Sequence, residues 1–141
     1  MNFEFYNPTR LVFEAGAVLR LGEVASRHGK KALLVTGGGS IKRNGTFDRA
    51  VASLKAAGIA FAECDGVEPN PRITTVRRGA RIAREEGCDV IIALGGGSTM
   101  DAAKAMAAAF YYDGDPWDMI YRGQPAPHVP TRALPIITVP T

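Results

Sequence analysis

Residues 90–98, VIIALGGGS, form the most informative stretch of this chain. The apolar, largely β-branched run at 90–94 is typical of a strand that is buried on both faces, as in a parallel sheet. The glycines that follow permit a tight turn, and residues 99–110 continue with an apolar stripe at helical spacing. The stretch therefore predicts a strand, a glycine-rich turn and a helix in direct succession.

The same plan occurs earlier in the chain, at residues 32–40, ALLVTGGGS. Apolar patterning predicts three further strands, at 11–13, 59–62 and 134–139, and three further helices, at 17–27, 46–57 and 74–86, the last with Thr74 as its N-cap. Because strands alternate with helices, we expect a doubly wound, Rossmann-like parallel α/β sheet with helices on both faces. The N-terminal segment, in which Phe3, Phe5, Leu11 and Phe13 surround Asn7-Pro8, predicts a hairpin or an added edge strand.

Composition limits the classes of protein that this chain can belong to. Its 141 residues are 46% apolar and 22% charged, which is typical of one globular domain and excludes a disordered tail. We expect no nucleic-acid partner, because the formal net charge is only +3. We expect no membrane partner, because no apolar run approaches about 18 residues. With two cysteines, no disulfide framework and no signal-peptide pattern, the sequence predicts a cytoplasmic protein.

The second glycine triplet, Gly95, Gly96 and Gly97 followed by Ser98, is a candidate phosphate site. Phosphate must approach backbone N–H groups closely, and only glycine allows this without a Cβ clash. The following helix adds free N–H groups and the positive end of its dipole. The spacing matches neither G-x-G-x-x-G nor a P-loop, so a plain βα turn remains the alternative.

Other polar residues near the triplets are further candidates. Asp101, expected in the first turn of its helix, either interacts favourably with the helix dipole or faces a ligand hydroxyl. After the first triplet, Ser40, Lys42 and Arg43 form either a solvated basic loop or a site for the 2′-phosphate of NADP, since no acid follows this strand until Asp48. The Glu68-Pro69-Asn70-Pro71 stretch is either a plain turn or a rigid loop that presents the Asn70 amide.

No cluster of His, Cys, Asp or Glu has the spacing of metal ligands, and no Ser/His/Asp set can be assembled. We therefore assign no metal ligand to this chain.

The order of motifs resembles a known family. The chain carries VTGGGSIKRNG at 35–45, EPNP at 68–71, GGGSTMDAAKAMA at 95–107, DPWD at 115–118 and ITVPT at 137–141. Together they resemble the N-terminal domain of the iron-containing (group III) alcohol dehydrogenases, and most closely the NADPH-dependent butanol dehydrogenase or aldehyde reductase branch. The likeness covers essentially the whole chain.

This resemblance implies roles for individual residues. Gly95, Gly96, Gly97 and Ser98 would bind the pyrophosphate of NADP or NAD, and Gly37, Gly38, Gly39 and Ser40 would border the adenosine ribose. Asn70 would lie along the cofactor, Thr138 and Thr141 near the adenine end, and Asp101 toward the nicotinamide and substrate. In the family a later helical domain supplies an Asp and three His residues as ligands for Fe²⁺ or Zn²⁺.

The resemblance implies that residues 1–141 are the dinucleotide-binding domain of a longer enzyme. We expect hydride transfer between NAD(P)(H) and a primary alcohol or aldehyde, a preference for NADP(H), and a homo-oligomer, a dimer. Two alternatives stay open at this point: a glycerol dehydrogenase-like or dehydroquinate synthase-like enzyme, which residues 40–43 and 68–71 disfavour, and a stand-alone nonenzymatic nucleotide-binding module.

Overall fold

The computed structural model describes residues 2–121, 123 and 128–141. Its described residues contain one sheet of four strands: β1 (Lys31–Gly37), β2 (Ala60–Val67), β3 (Val90–Gly95) and β4 (Ile136–Pro140). The strands lie in the order β2-β1-β3-β4, and all neighbours are parallel. The central strands are fully buried at residues 32–35 and 90–94, as their continuous apolar runs require.

In the described residues, five α-helices connect and cover the strands. They are α1 (Leu21–Ala25), α2 (Ser40–Arg43), α3 (Thr46–Ala56), α4 (Ile73–Glu85) and α5 (Gly97–Ala109). Short 3₁₀ turns occupy Ala17–Arg20 and Pro116–Met119. No helix in the described part of the chain has both the length and the apolar character needed to span a bilayer.

The helices pack on both faces of the sheet, and each face has its own apolar cluster. On one face, α1 and α3 bury residues such as Leu21 and Leu54 against Leu34 and Ile92. On the other face, α4 and α5 pack against alternate residues of the same strands, and Met106 of α5 is buried close to Gly79 of α4. The crossover from β1 to β2 therefore lies on one face, and the later crossovers lie on the other. The predicted doubly wound parallel α/β fold is confirmed.

The predicted N-terminal hairpin or edge strand is wrong. Residues 2–13 form no strand, and in the predicted strand 11–13 both Leu11 and Phe13 are as exposed as Phe3 and Phe5. A turn does form, because the N–H of Thr9 donates to Asn7 Oδ1 at 2.9 Å. A strand also needs a partner for its backbone groups, and no other strand of the described residues lies beside this segment.

The bounds of several helices also differ from prediction. The helix expected at 17–27 is a 3₁₀ turn at Ala17–Arg20 followed by the short helix α1. Helix α4 begins at Ile73 with Arg72 as its N-cap, so Thr74 lies inside it. Because α5 already begins at Gly97, Asp101 lies one turn into the helix and not in its first turn.

A carboxylate ties the starts of β1 and β3 together. Asp89 accepts hydrogen bonds from the N–H groups of Lys30 and Lys31 at 2.8 to 3.0 Å, while its own N–H donates to the carbonyl of Lys31 at 2.9 Å. We expect Asp89→Ala to lower the free energy of unfolding by about 1–3 kcal/mol, because backbone donors lose a charged acceptor. Urea unfolding measures this. Asp113→Asn, at an exposed aspartate, is the control, and equal stabilities of both variants would contradict the role of Asp89.

Candidate functional site

A cleft of about 480 Å³ opens at the carboxyl ends of β1 and β3. The chain leaves these two neighbouring strands toward opposite faces of the sheet, which is where open α/β sheets bind their ligands. The cleft is lined by Gly37, Gly38, Ser40 and Ile41, by residues 66–69, and by residues 95–99. Both glycine triplets therefore contribute to one site.

The loop after β3 has the shape of an anion cradle. Gly95 must be glycine, because a Cβ there would lie 2.7 Å from the hydroxyl of Thr99, which is buried beneath the loop. At Gly96 and Gly97 a Cβ would meet no atom within 4 Å, so these backbones face open space in the cleft. The first N–H groups of α5 have no partners within the helix and are available to an anion. This geometry fits the predicted phosphate site.

The loop after β1 forms the opposite wall of the cleft. Gly39 adopts a left-handed backbone with φ of 100° and is the N-cap of the short helix α2, which Ser40 begins. Lys42 is partly engaged, because its Nζ lies 3.9 Å from Glu63 Oε2 and 4.9 Å from the centre of the Phe47 ring. Arg43 forms no ion pair with any described residue, so a cation remains free at this end of the site.

Residues 68–71 close the cleft on a third side. Asn70 has a left-handed backbone with φ of 53°, and its N–H donates to Ser98 Oγ at 3.3 Å. The structure thus joins Asn70 to the glycine loop of α5, although the two are 28 residues apart in sequence. The predicted candidates from 37–40, 70 and 95–98 meet at one place.

The sequence reasoning missed Glu68 as a cleft residue. Its carboxylate accepts a hydrogen bond from the Thr75 hydroxyl, with Thr75 Oγ1 2.8 Å from Glu68 Oε2. The pKa of Glu68 lies below its usual value. Its own backbone N–H contributes most to this, followed by the Thr75 hydroxyl and then the N–H of Arg72. The signal was available in principle, because Glu68 directly follows a strand. The predicted strand ended at residue 62, however, whereas β2 runs to Val67 and pairs there with Gly37.

Other predicted residues lie outside this cleft. Asp101 is exposed, and its Oδ1 lies 3.5 Å from Lys104 Nζ on the surface of α5. Thr138 lies on β4 beside Ala93 and is exposed, and Thr141 follows the end of that strand. None of these three lines the space between β1 and β3.

Within the described ranges, no group of three or more His, Cys, Asp and Glu side chains is arranged to hold a metal ion. Cys64 and Cys88 are free and buried, and burial raises the pKa of both thiols. A raised pKa disfavours the thiolate that a nucleophile needs. The chemistry available here is therefore that of a glycine-walled anion cleft.

Comparison with known proteins identifies the family. The family model for iron-containing alcohol dehydrogenase matches residues 8–141. The chain is 48% identical over 141 residues to NADH-dependent butanol dehydrogenase A of Clostridium acetobutylicum, covering 100% of this chain and 35% of that protein. It is 37% identical over 124 residues to NADPH-dependent aldehyde reductase YqhD of Escherichia coli, covering 86% and 31% respectively.

Solved structures agree with this assignment. NADH-dependent butanol dehydrogenase A from Thermotoga maritima superposes with a TM-score of 0.86 at 40% identity, covering 97% of this chain and 34% of that one. The chain spans about a third of the length of the curated relatives it matches. The motifs, the sheet topology and these likenesses lead to one conclusion: the chain belongs to the iron-containing alcohol dehydrogenase family.

Proposed function

We propose that this chain is the dinucleotide-binding domain of a longer, metal-dependent enzyme that transfers hydride between NAD(P)(H) and a primary alcohol or aldehyde. The observation that carries the proposal is the glycine-walled cleft at the switch point between β1 and β3, whose open backbones at Gly96 and Gly97 suit a pyrophosphate. The names of the relatives support the reaction class, since they include butanol dehydrogenases and an aldehyde reductase.

Each part of the cofactor would have its own place. Gly95, Gly96, Gly97 and Ser98 would hold the pyrophosphate through N–H groups and a hydroxyl, and the loop 37–40 would border the adenosine ribose. Lys42 and Arg43 would supply positive charge at the ribose, and Asn70 would lie along the cofactor. Thr138 and Thr141 would lie near the adenine, and Asp101 toward the nicotinamide and the substrate.

When bound, the nicotinamide would supply the hydride, and Fe²⁺ or Zn²⁺, held by the helical domain that the family resemblance implies, would polarise the substrate oxygen. The residues of this chain would fix the cofactor so that its nicotinamide ring faces the substrate. The test is reduction of butanal by the full-length metal-loaded protein with NADPH or NADH. Turnover that depends on the metal supports the proposal, and a loaded protein without turnover contradicts it.

We expect the 141-residue chain by itself to bind no stoichiometric iron or zinc and to reduce no aldehyde. The physical reason is that its described residues offer no set of metal ligands. Metal analysis of the purified chain, together with an NADPH-linked aldehyde assay, checks this. One bound equivalent of metal accompanied by turnover would contradict it.

We also propose that the protein is a homodimer and that the N-terminal segment, residues 2–13, contributes to the contact. The support is an unpartnered set of apolar side chains with exposed fractions between 77% and 94%: Phe3, Phe5, Tyr6, Leu11 and Phe13. Large exposed apolar groups of this kind favour burial against a second copy.

We therefore expect the double variant Phe3→Ser/Phe5→Ser of the full-length protein to dimerise at least about tenfold more weakly than the wild type, because apolar burial is lost. Light scattering over a range of concentrations measures this, with Asn2→Ser as a control at an exposed polar position. Equal association of all three proteins would count against the contact.

The proposal includes a cytoplasmic location, supported by two free buried thiols, and includes neither nucleic acid nor membrane as a partner.

A further inference from the structure

Glu68 is an unexpected group in an anion site. Its side chain is 32% exposed and lines the cleft together with the two glycine loops. A carboxylate there repels a pyrophosphate, so its charge alone works against the proposed ligand. Its hydrogen bonds indicate a different contribution.

The Glu68 carboxylate ties its loop to the start of α4. One oxygen accepts a hydrogen bond from the hydroxyl of Thr75, which is 7% exposed and lies in the first turn of that helix. The Arg72 side chain lies near the other oxygen, with its Nε 4.0 Å from Glu68 Oε1. These contacts join Glu68 to both Arg72 and Thr75 across the loop, and the prolines on either side of Asn70 limit the loop's backbone further.

The closed loop in turn contacts the phosphate cradle. Asn70, the one described non-glycine residue with a positive φ, donates its N–H to Ser98 Oγ at 3.3 Å. A hydroxyl that accepts this bond keeps its own proton free to donate. The Ser98 proton is thereby available to a ligand in the cleft.

We propose that Glu68 is a positioning residue for the cofactor pyrophosphate, which acts by holding the 68–72 loop so that Asn70 orients the Ser98 hydroxyl. The inference rests on the proposed function, because it takes the dinucleotide as the ligand of the cleft. It assigns to Glu68 and Thr75 an effect on cofactor affinity although Thr75 does not line the cleft.

Thr75→Val tests the chain of contacts, because valine keeps the shape of threonine and removes the hydroxyl. In the full-length protein we expect NADPH and ADP-ribose to bind about three- to tenfold more weakly, with kcat at saturating cofactor unchanged. Thr75→Ser, which keeps the hydroxyl, should bind within about twofold of wild type. Thr74→Val, at the exposed neighbouring threonine, is the matched control and should leave binding unchanged.

A double-mutant cycle distinguishes positioning from a general loss of structure. If Glu68 acts through Ser98, then Thr75→Val should weaken binding in the wild type but have no further effect in a Ser98→Ala background. Glu68→Met, which removes the charge and both acceptor oxygens at similar side-chain length, serves as a second variant should Thr75→Val fail to fold, and the sign of its effect on binding is diagnostic. Positioning predicts weaker binding, whereas simple charge repulsion predicts tighter binding.

The outcomes also separate this inference from the proposed reaction. The inference alone would be overturned if the wild type binds the probes and reduces aldehyde, but Thr75→Val binds them equally tightly. Additive effects of the two substitutions in the double-mutant cycle would overturn it in the same way. If the wild type binds the probes and the double-mutant cycle gives the expected result, but no aldehyde is reduced, the positioning role is supported and the proposed reaction is overturned. A wild-type protein that binds neither probe would overturn both.

Discussion

Replacing Gly38 with aspartate is expected to reverse the cofactor preference of the full-length enzyme from NADP(H) to NAD(H). The new carboxylate would repel the 2′-phosphate of NADP and accept a hydrogen bond from the free ribose hydroxyl of NAD. A charge-assisted hydrogen bond contributes about 1.5–3 kcal/mol, so the ratio of kcat/KM for the two cofactors should change about ten- to a hundredfold.

The structure selects Gly38 over Gly39 for this experiment. A Cβ at Gly38 would meet no atom within 4 Å, so aspartate fits without displacing a neighbour. Gly39 has a φ of 100°, where any side chain is strained, and a Cβ there would lie 3.6 Å from Arg43 Nη1. Aspartate at 39 would combine a backbone penalty with the charge effect, and the two could not be separated.

Gly38→Asn is the matched control, because it has the shape of aspartate without the charge. Measured kcat/KM values for NADPH and NADH should show a smaller change for asparagine than for aspartate. The relatives carry both NADH-dependent and NADPH-dependent names, so the wild-type ratio is itself informative. A wild type that prefers NADH, or equal effects of both variants, would show that Ser40, Lys42 and Arg43 do not read the 2′-phosphate.

Gly96→Val should abolish measurable cofactor binding while leaving the fold intact. Gly96 adopts an extended backbone that any residue tolerates, and its missing side chain points to open space in the cleft. A valine would occupy the place of the pyrophosphate and remove at least two charge-assisted N–H bonds, which corresponds to more than about a hundredfold in affinity.

Titration with NADPH, followed by fluorescence, measures this effect. The unfolding temperature should stay close to that of the wild type, and Gly96→Ala should weaken binding less than valine does. Unchanged affinity in Gly96→Val would mean that the ligand does not approach the α5 loop.

The sequence was a reliable guide where the chain is buried on both sides. The runs at 32–35 and 90–94 coincide with β1 and β3, because a central parallel strand is apolar at every position. It was a poorer guide at the edge of the sheet. In β2, Glu63, Asp65 and Gly66 are exposed, so the apolar pattern ends before the strand does, and the strand continues to Val67. Because the predicted strand ended too early, the sequence did not indicate that Glu68 lies in the cleft.

The prediction for the N-terminal segment was wrong for a different reason. The segment has the apolar pattern of a strand, but a strand also needs a partner for its backbone hydrogen bonds. The pattern gives no information on whether the same chain supplies that partner. The structure brings the loops that carry the glycine triplets and Asn70 together, because the parallel strands that precede them end at one edge of the sheet. Contacts between side chains, such as Thr75 with Glu68, depend on geometry that no spacing in the sequence encodes.

We propose above that the cleft between β1 and β3 holds the pyrophosphate of a dinucleotide. A crystal structure of the full-length protein with NADPH tests it most directly. We expect pyrophosphate density against the N–H groups of residues 96–98, within hydrogen-bond distance of Ser98 Oγ, with the adenosine ribose beside Gly38 and Ser40. A dinucleotide bound elsewhere, or with its pyrophosphate away from the α5 loop, would contradict it.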